Sequence, residues 1–503
     1  MDNLSPETIS LIVVHLFAKP PPPAFLSQRT PPLRRSPYAA ISQRWQRAVE
    51  QHTFSTIRLQ SKDLAAFQTL FSDLRRRALL RQLHFTVMLP THGDSQHGHA
   101  ENVAAFEAAI SALFAMLAEW ETQEGENDVA NISNLELRLG AEWDIDKSEG
   151  PVDFDFDVTK SSASRRYLTA EGVELPAVRR ISAFQTFALA GRTLHPTATC
   201  KILAALPHLE KLDLEFLDPV PKRRELRRSL RIALGTGLER LQLPKLMSLR
   251  LSREEMASVN NHSFDCGDLE QDGIDALNAA VRKLAQSSPL THLDLSDCLV
   301  STDLFQHRSS PGGSNSSIWS TLQEFHINGG IVSPSGAWYY TGDAGASQPE
   351  PASPIGDDDD DDDEEDDDSD GASESDDDLE ADAVANGNRP THIWRNRPDP
   401  DVFNRLAQAM ADAVLHMPSL EMGQLQIGMN LHSPVGIELQ CAAAGREMRA
   451  PDWTPEPDQE RLVRRWRVWV GIESQWAVPA EVTAKWKEWV GEEGIISVGK
   501  WPN

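Results

Sequence analysis

The sequence predicts an α/β chain in which a small helical module at the N-terminus is followed by an irregular solenoid of short repeats. Three observations lead there. Two one-sided apolar helical stretches open the chain, an apolar spacing of three then two recurs seven times behind them, and amphipathic helical stretches fill several of the gaps between copies.

The first helix is signalled by Ser5 as a cap, Pro6 at the first helical position and Glu7 at the positive end of the dipole. Ile9, Ile12, Val13 and Leu16 then recur on one face. The proline-dense stretch from Pro20 to Pro37 excludes helix and predicts a loop. A second helix is expected from Tyr38 to Glu50, with Tyr38, Ile41, Trp45 and Val49 near one face. The plain reading of such a pair is a helical hairpin packed on its own body.

The recurring spacing appears as Leu80-x-x-Leu83-x-Phe85, Leu209-x-x-Leu212-x-Leu214, Leu238-x-x-Leu241-x-Leu243 and Leu246-x-x-Leu249-x-Leu251. It returns as Leu290-x-x-Leu293-x-Leu295, Leu322-x-x-Phe325-x-Ile327 and Met422-x-x-Leu425-x-Ile427. This is the strand signature of a leucine-rich repeat: the spaced leucines enter a shared core and the residues between them face outward along a sheet. The intervals are irregular and often exceed the usual ~20 to 29 residues, so the body is repeat-like. Helices are expected over 101–120, 272–285 and 401–417, each with an apolar stripe. Seven of the thirteen tryptophans lie from Trp453 onward, and Leu462, Val463, Trp466, Trp469 and Val470 fall at helical spacing, which predicts a tryptophan-rich helical cap on the repeats. A packed cap and a ligand-binding aromatic surface both fit this composition.

The net charge of −28 is local in origin. Asp357 to Asp382 holds nineteen acidic residues and no Lys or Arg, so the rest of the chain carries only −9. The segment 349–388 cannot bury enough apolar surface to offset its ordering entropy and is expected to be a disordered acidic insert within the body. Ser373 and Ser375 each have Asp three residues on, the pattern of sites for acidophilic kinases. The domain plan is then a helical module over 1–58, a repeat-like body over 59–348, the insert over 349–388, and the resumed body with its cap over 389–503.

With no basic stripe beyond Lys222 to Arg228, the mildly acidic body is a poor nucleic-acid binder. No apolar run approaching the ~20 residues of a membrane span is read, and Met1 begins no signal peptide, so a cytoplasmic or nuclear protein without a membrane partner is expected. Cys200, Cys266, Cys298 and Cys441 form no CxxC pair and imply neither a zinc knuckle nor a disulfide framework. His92, His97 and His99 have metal-like spacing but no cysteine nearby, which favours a surface loop, so no metal or cofactor is assigned. There is no P-loop, no GxSxG elbow, no HExxH pair and no GxGxxG after a strand, and hence no catalytic residue to name.

The N-terminal residues carry a resemblance. Leu4-Ser-Pro-Glu-Thr-Ile9 with Ile12 and Leu16, followed by Ile41-Ser-Gln-Arg-Trp45 and Val49, is similar to the F-box pattern. Thr53 to Leu59, the Leu89-Pro90-Thr91 turn and the stretch from Trp338 to Gly342 resemble a family of filamentous-fungal F-box proteins whose long C-terminal domain has no assigned function. Ser5 departs from the usual proline, and the loop between the two helices is longer than usual. The resemblance implies a substrate-recognition subunit of a Skp-cullin-F-box ubiquitin ligase. It implies that Leu4, Pro6, Ile9, Ile12, Val13, Leu16, Tyr38, Ile41 and Trp45 serve the Skp-type adaptor, and that the body holds a protein substrate. The alternative is a repeat scaffold whose F-box-like segment engages no ligase.

Overall fold

A computed structural model describes residues 4–17, 36–90, 96–124, 134–143, 167–187, 192–216, 219–253, 259–306, 319–345, 376–428, 436–448, 456–471 and 474–500. The fold is mixed α/β with a large, mostly parallel sheet. The chain divides into two compact units, residues 1–192 with 201–211, and residues 193–200 with 212–503.

In the first unit, α1 (Pro6–Phe17), the short α2 (Ser36–Ala39) and α3 (Gln43–Phe54) precede β1 (Thr56–Gln60). The expected helix over Tyr38 to Glu50 is thus broken: the chain leaves α2 at Ala40, and Ser42, in extended conformation, starts α3. β1 pairs in parallel with β2 (Gln82–Leu89), β2 with β3 (Leu135–Trp143), and β3 with β5 (Ile181–Thr186). Parallel neighbours require crossovers. α4 (Leu64–Leu70) and α5 (Leu74–Leu79) carry the chain from β1 to β2, and α6 (Gln96–Glu124) carries it from β2 to β3. α6 is long and apolar enough to cross a membrane by length and composition alone, unlike anything read from the sequence. Its Phe106, Ile110, Leu113, Phe114, Leu117 and Trp120 are buried, and Trp120 packs with Phe67 and Phe71. Their burial is that of a core helix. β4 is the two-residue strand Tyr167–Leu168.

In the second unit, β6 (Thr193–Leu194) and the start of α7 (Pro196–Ala204) precede β7 (Lys211–Phe216), α8 (Arg224–Arg240), β8 (Ser248–Arg253), α9 (Ala276–Ser287), β9 (His292–Cys298) and β10 (Glu324–Gly329). β11 (Tyr340–Gly342) pairs antiparallel with β12 (Arg395–Pro398). α10 (Asp376–Ala385) lies between them in sequence, and α11 (Phe403–Leu415), β13 (Met422–Ile427), β14 (Ile437–Ala442), β15 (Arg465–Val470), α12 (Ala480–Val490) and β16 (Ile495–Lys500) follow. The pairing is parallel from β8 through β9 and β10 to β13, antiparallel through β14 to β15, and parallel again to β16.

The three-then-two spacing becomes a cross-strand register. Leu249, Leu293 and Phe325 align, as do Leu251, Leu295 and Ile327, and all six are buried. The frame differs at β13. Phe325 is opposite Gly423 and Ile327 opposite Leu425, so the repeat there is Leu420-x-x-Gly423-x-Leu425, and Met422 points to the other face. A Cβ on Gly423 would stand 2.4 Å from the Phe325 ring and 2.9 Å from Cys441 Sγ. Glycine stands where the aromatic ring needs the space.

Three further expectations change. Leu238-x-x-Leu241-x-Leu243 is no strand: Leu238 lies in the last turn of α8, and Leu241 follows that helix, both buried. The expected helical cap at 462–470 is instead β15, because Trp466, Val468 and Val470 alternate into the core with period two. Trp466 stacks on Trp486 of α12 at 4.9 Å between ring centroids. The acidic insert also differs at its end. Ser373, Ser375 and residues 346–375 lie outside the described residues, as do His92 and the loop 18–35, but Asp376–Ala385 is helical. Asp382 accepts from Lys222 Nζ at 2.7 Å, and Asn386 is buried. These contacts order the last part of what the composition assigns to disorder.

Candidate functional site

The strongest candidate is the surface of α1 and α3. Ser5 Oγ accepts from the backbone N–H of Thr8 at 3.2 Å and starts α1 as its sequence suggests. Ile9, Val13, Trp45, Ala48 and Val49 form one buried cluster. Leu4, Ile12, Phe17, Tyr38 and Ala39 pack on it while remaining half-exposed. Tyr38 meets the Phe17 ring edge-on at 5.6 Å, and Phe17 stacks on His52.

Of the nine residues that the resemblance assigns to an adaptor, Ile9, Val13 and Trp45 are therefore spent inside the helical module. Leu4, Ile12, Leu16 and Tyr38 are half-buried, and Pro6 and Ile41 are exposed. The structure adds two residues that spacing alone passed over. Leu11 is 61% exposed and Val14 49%, on the side of α1 away from Ile9 and Val13, and Ile41 is 42% exposed. A signal for them was present: seven of the twelve residues of α1 are large and apolar, so the helix is apolar nearly all round. Such a helix has more surface to bury than one partner can cover.

A second surface lies on the sheet of the second unit, at the positions alternating with the buried leucines. Arg250 on β8 stands 3.8 Å from Asp213 and 3.6 Å from Asp294, its neighbours on either side. Farther along, His326 Nδ1 donates to Gln424 Oε1 at 2.9 Å, since the amide oxygen can only accept. Gln424 Nε2 donates to Glu438 Oε1 at 2.6 Å, and Gln440 Nε2 donates to the same oxygen. Burial pushes the Glu438 carboxyl above the usual carboxylate range against the pull of these two amides. Arg465 and Arg467 close the row on Glu456 at 2.6 and 3.0 Å. Glu438, Gln440, Glu456 and Arg465 are buried, so this end of the row braces the sheet from within, and the exposed part of the face is the stretch around Arg250.

Cys266, Cys298 and Cys441 are buried, free thiols, and burial raises Cys266 to about 11. Among the described residues no group of His, Cys, Asp and Glu is placed to hold a metal. Set against known proteins, the chain matches no family model, no curated protein and no solved structure.

Proposed function

We propose that this chain is the substrate-recognition subunit of a Skp-cullin-F-box ubiquitin ligase, in which the N-terminal helices form an F-box and the rest forms an irregular leucine-rich-repeat-like solenoid. The observation that carries the reading is the division of labour in α1: Ile9 and Val13 pack against Trp45, while Leu11 and Val14 stay exposed. An apolar face of this kind fits a Skp-type adaptor, where each side chain fully buried would contribute on the order of 1.5 to 3 kcal/mol before association costs. The chain needs no reacting group for this role. It raises the effective concentration of a bound substrate at the ligase. The polar sheet face with Asp213, Arg250 and Asp294 is the proposed substrate surface.

Affinity purification of the full chain from its own cells tests this reading. Recovery of a Skp adaptor together with a cullin is expected, and their absence from a folded, expressed chain would leave a repeat scaffold without a ligase.

A further inference from the structure

The sheet of the first unit also presents a face opposite its buried leucines, and one row on it is unlike its counterpart in the second unit. Arg58, His84 and Arg138 stand in direct register on β1, β2 and β3. Adjacent strands lie only ~4.8 Å apart, and like charges facing one another across strands destabilise a sheet. In the second unit the row Asp213, Arg250 and Asp294 alternates in sign, so that each neighbouring pair attracts. One step along β1 and β2, Thr56 donates to Gln82 at 3.3 Å, and Gln82 donates to Glu136 at 2.9 Å. Glu136 also accepts from Arg138 Nε at 2.5 Å.

That single carboxylate leaves the row unbalanced. Arg58 is exposed and makes no ion pair or hydrogen bond among the described residues, and His84 Nε2 is buried without a partner. The Phe187 ring, 6.1 Å from the His84 ring, forms a wall beside them. Phe187 can sit there because residue 140 is glycine, where a Cβ would stand 2.7 Å from its ring.

We infer that Arg58, His84 and Arg138 form an oxyanion-binding site on the open sheet face of the first unit. Guanidinium forks match the two oxygens of a carboxylate or a phosphate, and the neighbouring imidazole nitrogen supplies a third polar contact. The same chemistry serves a free phosphate or the carboxylates of an acidic protein segment. The groups facing His84 are Arg58 from β1, Arg138 and Glu136 from β3, with Gln185 of β5 in register with Arg138. Burial, then Arg138 and Arg58, hold the imidazole below its ordinary range. An anion bound there favours the imidazolium, so binding strengthens as pH falls.

The test is calorimetric titration of the full chain at low salt with inorganic phosphate and, separately, with a glutamate-rich peptide, alongside the Arg58→Gln and Arg138→Gln variants and Arg240→Gln, an exposed arginine at the end of α8. Saturable binding is expected, weakened about tenfold or more by each of the first two changes and untouched by Arg240→Gln. The His84 ring resonances should titrate at higher pH once ligand is bound. Binding of phosphate would mark a free anion, and binding of the peptide alone a protein segment, and either supports the site. No saturable binding of either ligand by the folded chain, or binding indifferent to both arginine changes, overturns it.

Discussion

His262 shows how one side chain sets a condition on folding. Its Nδ1 accepts the backbone N–H groups of Trp394 and Arg395 at 3.0 and 2.9 Å, so the ring must be neutral with its proton on Nε2. Burial, then Arg395 and His392, lower its pKa to about 4. The folded value lies below the unfolded one, so the stabilisation is complete above pH ~6.5 and is lost as pH falls toward 4, by roughly 3 kcal/mol in all. His262→Asn retains an acceptor near Nδ1 without a titrating ring. Denaturant midpoints measured across that window should fall for the wild type relative to the variant, and parallel curves would refute the role. Gly423 makes a different demand. Gly423→Ala forces a methyl against the Phe325 ring and Cys441, and overpacking of this kind costs about 1 to 3 kcal/mol. Phe325→Leu in the same chain should recover a large part of that loss, whereas simple additivity of the two changes would show that the two residues do not face each other.

At the scale of the strands, the alternation of faces makes an asymmetric prediction. Leu212 and Leu293 are buried, while Asp213 and Asp294, one residue on, sit on the other face beside Arg250. Leu212→Asp and Leu293→Asp put an unpartnered charge into the core and should unfold the second unit. Asp213→Ala and Asp294→Ala remove exposed ion pairs and should cost no more than about 1 kcal/mol each. Equal losses in a denaturant melt would mean that the register is wrong. Six of the seven spaced motifs lie on strands, because a buried, covered sheet leaves a strong apolar signature. Leu238 to Leu243 misleads because a spacing of three also suits a helix face. β3 escapes the motif because its first position is the polar Asn134, although Leu135, Leu137 and Leu139 alternate inward. β15 was hidden by tryptophans whose spacing of three matches a helix turn, while the deciding residue, Val468, lies between them.

For the whole molecule, the sequence revealed that α1 and α3 carry a common apolar face but not which residues are left over. That depends on how Trp45 packs with Ile9 and Val13 in one buried cluster, which spacing alone does not specify. The helix at the end of the acidic insert was equally hidden, since its order comes from Lys222, more than a hundred residues earlier in the chain. The most direct test of the account is to mix purified full-length chain with purified Skp adaptor, with Leu11→Asp/Val14→Asp as the comparison. Because both residues are exposed, the double variant should melt as the wild type does. The account predicts a stoichiometric complex with the wild type by size-exclusion chromatography and light scattering, and its loss in the variant. No complex with the folded wild type, or an equally strong complex with the variant, would contradict it.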